Sequence, residues 1–541
     1  MSIKQHYKFM LVLMLLYRIT TYLGAQIIVQ HKVEQEYQWH VDYTFLDAKQ
    51  KPKKTTAYLW IPSSAKTVRG VIITSQNVLE QWLVEHTLIR NVCRKENIAI
   101  LWACPSFFVD GPTHHPEINI PVIRQLLDTL SSLSGYNMLK HVPWIPIGHS
   151  GTNNLVDVLV AEVPHKLIAA IKMKGGPGFK TTNVPVLSTA GEFFEWNQHK
   201  EDLLYPKTTI PNYNTVLQER LQQQHPLSYF FDPNTGHFDC SEALTALVAA
   251  YIESACELRL SSTSDTTLLP VDMNKGWVVG LPLPGAEKML PKKYSIANTK
   301  ERNYPWYFNK SLAMQAYQLA TYNHLRKPQL IAFTDSNAHA YEYTRGIVWP
   351  LPYTTNTDGI QFQLHANSLT HIPDTFLQSK KTLYTSNKPW YMQVLCGNIK
   401  QIAYNTFEIT PHRSYKASTT YIVLKQDGDD SIRTTIAPAQ LVLVPNTKGA
   451  TQLITFKPIE NTHVSTKQIS LHATASSGMP VRFYIKSGPA YIENDQLYIT
   501  EVPPKSIFPV RVTVVAYQWG RTADPAVQTA PMVEQIFYIN K

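Results

Sequence analysis

A serine, a pair of carboxylates and a histidine follow one another along this 541-residue chain in an order that could activate a hydroxyl group. Ser150 ends the apolar run Trp144-Ile-Pro-Ile-Gly148-His149-Ser150-Gly151-Thr152 and sits between two glycines. Serine is a poor nucleophile until a base takes its proton and a third group orients that base. Gly148 and Gly151 allow a sharp bend without a Cβ clash, so the hydroxyl can be lifted off the end of a strand. In a strand-to-helix fold the partners are expected later in the chain, the acid before the histidine. Pro185-Val-Leu-Ser-Thr-Ala190 reads as a strand running into Gly191-Glu192-Phe-Phe-Glu195. Further on, Phe231-Asp-Pro-Asn-Thr-Gly236-His237-Phe-Asp239 carries a histidine in a loop between a strand and a helix. The chemistry these residues could do is acyl transfer: Ser150 attacks, His237 takes the proton, and Glu195 or Glu192 orients His237. Of the two acids Glu195 is favoured, because Glu192 lies closer to the strand end, where a structural hydrogen bond would use it.

Acyl transfer also needs two N–H groups aimed at the developing oxyanion. Gly151 supplies one, next after the serine and at a helix N-terminus, where the dipole helps. The second is expected from Ser75-Gln76-Asn77, as a backbone N–H or as the Asn77 amide. His149 is read as packing beneath the nucleophile. His114-His115 reads as a solvated loop, with lining of a substrate cleft as the alternative. His237-Phe-Asp239-Cys240 lacks zinc-ligand spacing and no His-Glu-x-x-His occurs, so no metal is expected. The chain has no phosphate-binding glycine loop and no dinucleotide fingerprint, and nothing supports nucleic-acid binding; no cofactor is expected.

These groups need elements to position them. Glu36–Phe45 and Thr55–Ile61 alternate as antiparallel strands should. Gly70–Thr74, Asn97–Ala103, Trp144–Ile147, Leu167–Met173, Val184–Ala190 and Leu227–Phe231 read as buried strands. Helical periodicity runs over Val78–Arg94, Ile120–Leu133 with Pro121 near its first turn, 152–163, Tyr213–Gln224 and Ser241–Leu258. Buried strands alternating with amphipathic helices give an α/β fold with a mostly parallel, doubly wound sheet, and its reactive groups gather at the strands' carboxyl ends. After Leu260 a polar connector and proline-rich sequence lead to one helical stretch, Ser311–Tyr322. From Gly359 onward short alternating strands and turn signals suggest β-sandwich material. Asp427-Gly-Asp-Asp430 reads as a hairpin turn rather than a calcium loop. The expected division is 1–25 export signal, 26–262 α/β domain, 263–355 linker and helical extension packing on it, 356–462 β-rich unit and 463–541 Ig-like β-sandwich.

Apolar residues make up 44% and charged residues 17% of the chain, a globular balance. Lys4, His6 and Lys8, the apolar run Phe9–Tyr17 and the small pair Gly24-Ala25 read as an export signal, too short to span a bilayer. Secretion, or a bacterial periplasm, is the expected location. Fifty Lys+Arg against forty Asp+Glu leave a net charge of +10, spread out except at Lys49, Lys51, Lys53 and Lys54, a solvated turn between strands. Of the five cysteines, Cys240 and Cys256 flank a helix roughly 24 Å apart and cannot pair. Cys93 and Cys104 could pair, but they sit on a helix end and a strand. An odd, irregularly spaced set makes no disulfide framework.

The order of Ser150, Glu192 or Glu195, and His237, with Gly148-His-Ser-Gly-Thr152 as the turn and Gly236-His237 as the base, resembles the α/β-hydrolase superfamily over roughly residues 36–258. The resemblance implies a serine esterase acting through an acyl-enzyme. The superfamily most often places its acid three residues after the glycine ending the strand, here Phe194, so Glu192 and Glu195 straddle that position. Its usual turn is Gly-x-Ser-x-Gly, so Thr152 stands where glycine is expected and should cost room. The C-terminal segments resemble β-sandwich tails of secreted bacterial proteins that degrade polysaccharides, which implies an acylated or methyl-esterified glycan, or a small ester, as substrate. Trp519 is a candidate for stacking on sugars, although tryptophan is usually core. A peptidase of the same superfamily and a non-catalytic glycan-binding or scaffold protein are the alternatives. Oligomeric state is left open.

Overall fold

Two hairpin strands lead the chain. β1 (Trp39–Leu46) and β2 (Pro52–Trp60) pair antiparallel, with Trp39 opposite Leu59 and Leu46 opposite Pro52. The lysine run lies on this hairpin, where the Asp47 carboxylate accepts the N–H groups of Lys49 and Lys51. The computed structural model describes residues 34–109, 115–175, 183–192, 219, 221–261, 267–280, 289–322, 326–343, 346–373, 383–411, 413 and 420–541. The expected export signal and seven of the twelve residues of the expected helix Tyr213–Gln224 therefore lie outside the described residues, as does Glu195.

Six further strands complete the sheet: β3 (Gly70–Ser75), β4 (Ile98–Cys104), β5 (Trp144–His149), β6 (Ala170–Met173), β7 (Val186–Gly191) and β8 (Leu227–Asp232). Their order is β1-β2-β4-β3-β5-β6-β7-β8, antiparallel through the β2–β4 pair and parallel from there on. β3, β4 and β5 are buried along their whole length, because alternate side chains enter two separate cores. Ile72, Ile98, Ile100 and Trp102 point to one face; Val71, Ile73, Ala99 and Leu101 point to the other. Against the first face lie α1 (Leu79–Glu85), α2 (Thr87–Glu96) and, later in the chain, the helix Glu242–Arg259. Against the second lie α3 (Pro116–Ser134) and α4 (Asn153–Glu162). The mostly parallel, doubly wound sheet expected for this half of the chain is what the strands build, with an antiparallel hairpin at one edge.

Local chemistry explains where the elements depart from the expected ranges. The single helix expected over Val78–Arg94 is two, because His86 is extended (φ −73°, ψ 133°) and its ring Nδ1 accepts the Leu88 N–H. That bond caps a new helix start and breaks the first one. Pro121 lies in the second turn of α3, since Pro116 takes the first helical position. Strand β6 begins only at Ala170; Leu167 makes an isolated bridge to Trp144. The last helix, α5 (Glu242–Arg259), is capped by Ser241, whose hydroxyl accepts the Leu244 N–H.

Residues beyond 267 add β-rich units that pack on this sheet. Helix α6 (Lys310–Thr321), capped by Asn309, joins the first-face core together with the small sheet 277–280, 289–293 and 306–307. The Tyr307 hydroxyl donates to the Tyr229 carbonyl at 2.6 Å, fixing this extension to β8. Residues 330–441 form three small antiparallel sheets around one core, and residues 454–540 form three more small sheets around another, antiparallel except where Thr462–His463 runs parallel to the last strand. Asp429 closes the turn between strands Thr420–Gln426 and Thr435–Leu441 by accepting the N–H groups of Ser431 and Ile432. Trp519 is 8% exposed and belongs to a core, so it offers no free ring to a sugar. All five cysteines are buried free thiols, Cys93 and Cys104 included. No helix among the described residues is long and apolar enough to cross a membrane.

Candidate functional site

Strand β5 delivers Ser150 in a conformation that L-residues rarely adopt: its φ is +52°. A left-handed serine costs roughly 1–3 kcal/mol and persists only where the surrounding structure over-determines it. A Cβ on Gly148 would stand 2.6 Å from the Thr152 carbonyl oxygen, so the strand can approach the following helix only with glycine there. Gly148→Ala is expected to lower stability by about 2 kcal/mol or more, read as a fall in the thermal midpoint. An unchanged midpoint would contradict this close approach.

Thr152, expected to crowd the turn, instead ties it together. Its hydroxyl accepts the His149 N–H at 2.8 Å and bridges to the Glu80 carboxyl on α1. The Glu80 carboxyl also accepts the His149 N–H at 2.9 Å, and its second oxygen has no partner among the described residues. Burial pushes Glu80 up to about 7 from the ordinary 4.5, against the opposing hydrogen bonds from Thr152 and from backbone N–H groups. The folded protein therefore keeps a proton that the unfolded chain has released. Its contribution to stability is full below pH 4.5 and fades as the pH rises through 7. Between pH 5 and pH 7 this amounts to about 2 kcal/mol. Glu80→Gln should remove that part of the slope, seen in urea unfolding at the two pH values. Parallel slopes for the two proteins would contradict it.

The histidine loop closes over this turn from β8. His237 Nε2 lies 2.8 Å from Ser150 Oγ. Beneath it, the buried His149 ring donates from Nε2 to the His237 carbonyl at 2.9 Å, the two rings being 5.0 Å apart. Burial holds His149 well below its usual range, so it is neutral and acts as a prop. Gly191, ending β7, passes so close that a Cβ there would stand 2.5 Å from the Gly236 carbonyl oxygen. Outside the loop, the Phe238 ring stacks on Tyr421 of the 330–441 unit at 5.9 Å.

Of the two candidate acids, only Glu192 lies among the described residues. Glu192, one residue past β7, accepts the Asn234 N–H at 2.7 Å and lies 3.9 Å from the Arg433 guanidinium. That carboxylate supports the approach to the histidine loop. Glu195 lies outside the described residues.

The expected oxyanion donors also separate. The Gln76 N–H goes to the Ala103 carbonyl at 2.8 Å, and the Asn77 side-chain amide donates to the His149 carbonyl at 2.7 Å. Both contacts serve the scaffold, and the Asn77 amide gives one of its two N–H groups to its contact. No acceptor among the described residues takes the Asn77 backbone N–H. Gly151 is exposed, with open space where its Cβ would be. The described residues hold no group of three or more His, Cys, Asp or Glu able to bind a metal. His115 pairs with Glu117 at 2.9 Å beside the start of α3, and His114 lies outside the described residues.

No protein-family model matches the sequence, and no curated protein is significantly similar to it. Solved structures do match. The esterase domain of a Rhodothermus marinus protein is 15% identical, covering 40% of this chain and 97% of that one, with a TM-score of 0.26. A thermostable carboxyl esterase from Bacillus coagulans is 9% identical, covering 40% and 99%, with a TM-score of 0.28. A dienelactone hydrolase from Anabaena variabilis is 16% identical, covering 41% and 99%, with a TM-score of 0.26. Likenesses this slight say nothing about activity.

Three features of the site do not follow from the sequence pattern alone. Glu80 is an ordinary helical glutamate by pattern, and only the fold brings it under Ser150. Thr152 looked like a defect in the turn. Lys174, at the end of β6, is fully buried and bonded to the histidine loop. A charged residue closing an apolar strand, Ala170-Ile-Lys-Met-Lys174, was the one available hint.

Proposed function

We propose that this protein is a serine hydrolase of carboxylic esters. The observation that carries the reading is a serine at φ +52° on a strand end, with its Oγ 2.8 Å from an imidazole Nε2. Ser150 Oγ attacks the ester carbonyl carbon as His237 Nε2 takes its proton. The carbonyl π pair moves to oxygen, where the Gly151 and Asn77 backbone N–H groups stabilise it. Collapse expels the alcohol, which leaves with the proton from His237, and an acyl-serine remains. Water then gives its proton to His237, attacks the acyl carbon, and releases the carboxylic acid and free Ser150. Glu195 orients His237 in this account, because the Glu192 carboxylate already serves the Asn234 N–H.

The substrate we assign is an acylated or methyl-esterified polysaccharide. Support comes from the two β-rich units, the first of which packs its Tyr421 against the histidine loop. The basic, then apolar, N-terminal sequence supports export as the setting. The test is a substrate panel: p-nitrophenyl acetate, acetylated and methyl-esterified polysaccharides, and peptide anilides. Release of acetate or methanol from a polysaccharide supports the assignment. Cleavage of the peptides alone would replace it with a peptidase, and turnover of none would leave a glycan-binding or scaffold role.

A further inference from the structure

Loop 232–241 carries His237 but belongs to no helix or strand after Asp232, so side chains from elsewhere must fix its backbone. The buried Lys174 does most of this. Its ammonium donates to the Thr235 hydroxyl at 2.8 Å, to the Gly236 carbonyl at 2.5 Å and to the Asp239 carbonyl. The Asp239 and Asp232 carboxylates lie 3.4 Å away, giving five oxygens from four residues of one loop around a single cation. Lys174, Asp232 and Asp239 are at most 1% exposed.

Both carboxylates also hold the loop directly. Asp239 accepts the Gly236 N–H at 2.9 Å, and Asp232 accepts the Ser241 N–H at 3.1 Å and the Ser241 hydroxyl. Lys174 is itself pinned at φ +47°, with its N–H on the Thr189 hydroxyl at 3.2 Å. Stability alone is a weak reason for such a cluster, since buried ion pairs seldom outperform packed apolar residues. What the cluster does is geometric. It bends residues 235–239 around one point, so that His237 is carried outward toward Ser150.

We propose that Lys174 is a positioning residue for His237, setting the loop so that the imidazole Nε2 meets Ser150 Oγ. The inference rests on the reading of Ser150 and His237 as nucleophile and base. The test compares the full-length wild type with Lys174→Met and with the triple variant Lys174→Met/Asp232→Asn/Asp239→Asn. The second variant also neutralises the two carboxylates that Lys174 faces, and it carries the test if the first does not fold. On p-nitrophenyl acetate, kcat is expected to fall about 10²-fold with KM within about twofold, as for misplaced reacting groups. A variant with a lower thermal midpoint but wild-type kcat well below that midpoint would show a purely stabilising role and overturn the proposal. Crystal structures separate this failure from failure of the functional reading. A variant that keeps His237 Nε2 at its wild-type distance from Ser150 Oγ overturns the positioning role whether or not the wild type turns over esters. Separation of the two supports it.

Discussion

His237→Ala is expected to lower kcat on an activated ester by about 10⁴-fold or more while changing KM little. Nothing else in the described site can accept the Ser150 proton at bonding distance, because His149 points its Nε2 proton at the His237 carbonyl and is kept neutral by burial. The loss should fall on the chemical step, since the imidazole bonds to Ser150 and not to the scaffold through Nε2. The His237 backbone, held through its carbonyl by His149, does not need the imidazole, so the thermal midpoint should stay within a few degrees. Steady-state kinetics with a melting curve on the same sample checks both statements. A variant within tenfold of wild type would remove His237 from the chemistry.

The second large effect separates the two acids. Glu195→Gln is expected to reduce kcat by about 10⁴-fold, the scale seen when the group orienting a catalytic imidazole loses its charge. Glu192→Gln should cost only about tenfold, because glutamine can still accept the Asn234 N–H through its amide oxygen. The reverse ranking would reassign the acid to Glu192 and make its bond to Asn234 part of the catalytic array. Measuring both variants on one ester decides the matter. The superfamily resemblance alone cannot, since it points to Phe194, between the two.

How much of this was legible in the sequence depended on range along the chain. Strand β5 and the turn after it were readable because Trp144–His149 is apolar and Gly148 and Gly151 flank the serine. The fold class followed from strands such as Gly70–Thr74 alternating with helices. Helix ends set by caps were missed where the cap was unusual, as at His86, whose ring nitrogen rather than a hydroxyl accepts the N–H. Contacts distant in sequence were invisible: Thr152 was misread because its meaning depends on Glu80, 72 residues away. The same holds for Asn77, whose amide has the right chemistry for an oxyanion donor but meets the His149 carbonyl. Lys174 was lost for that reason too, since its oxygens come from residues 232–239.

The central claim is that Ser150 is an activated nucleophile, and a fluorophosphonate probe tests it most directly. The account predicts one covalent adduct per chain on the wild type, located on Ser150 by peptide mass spectrometry, and no adduct on Ser150→Ala. A folded wild-type protein that stays unlabelled, or a label that persists on Ser150→Ala, would contradict it.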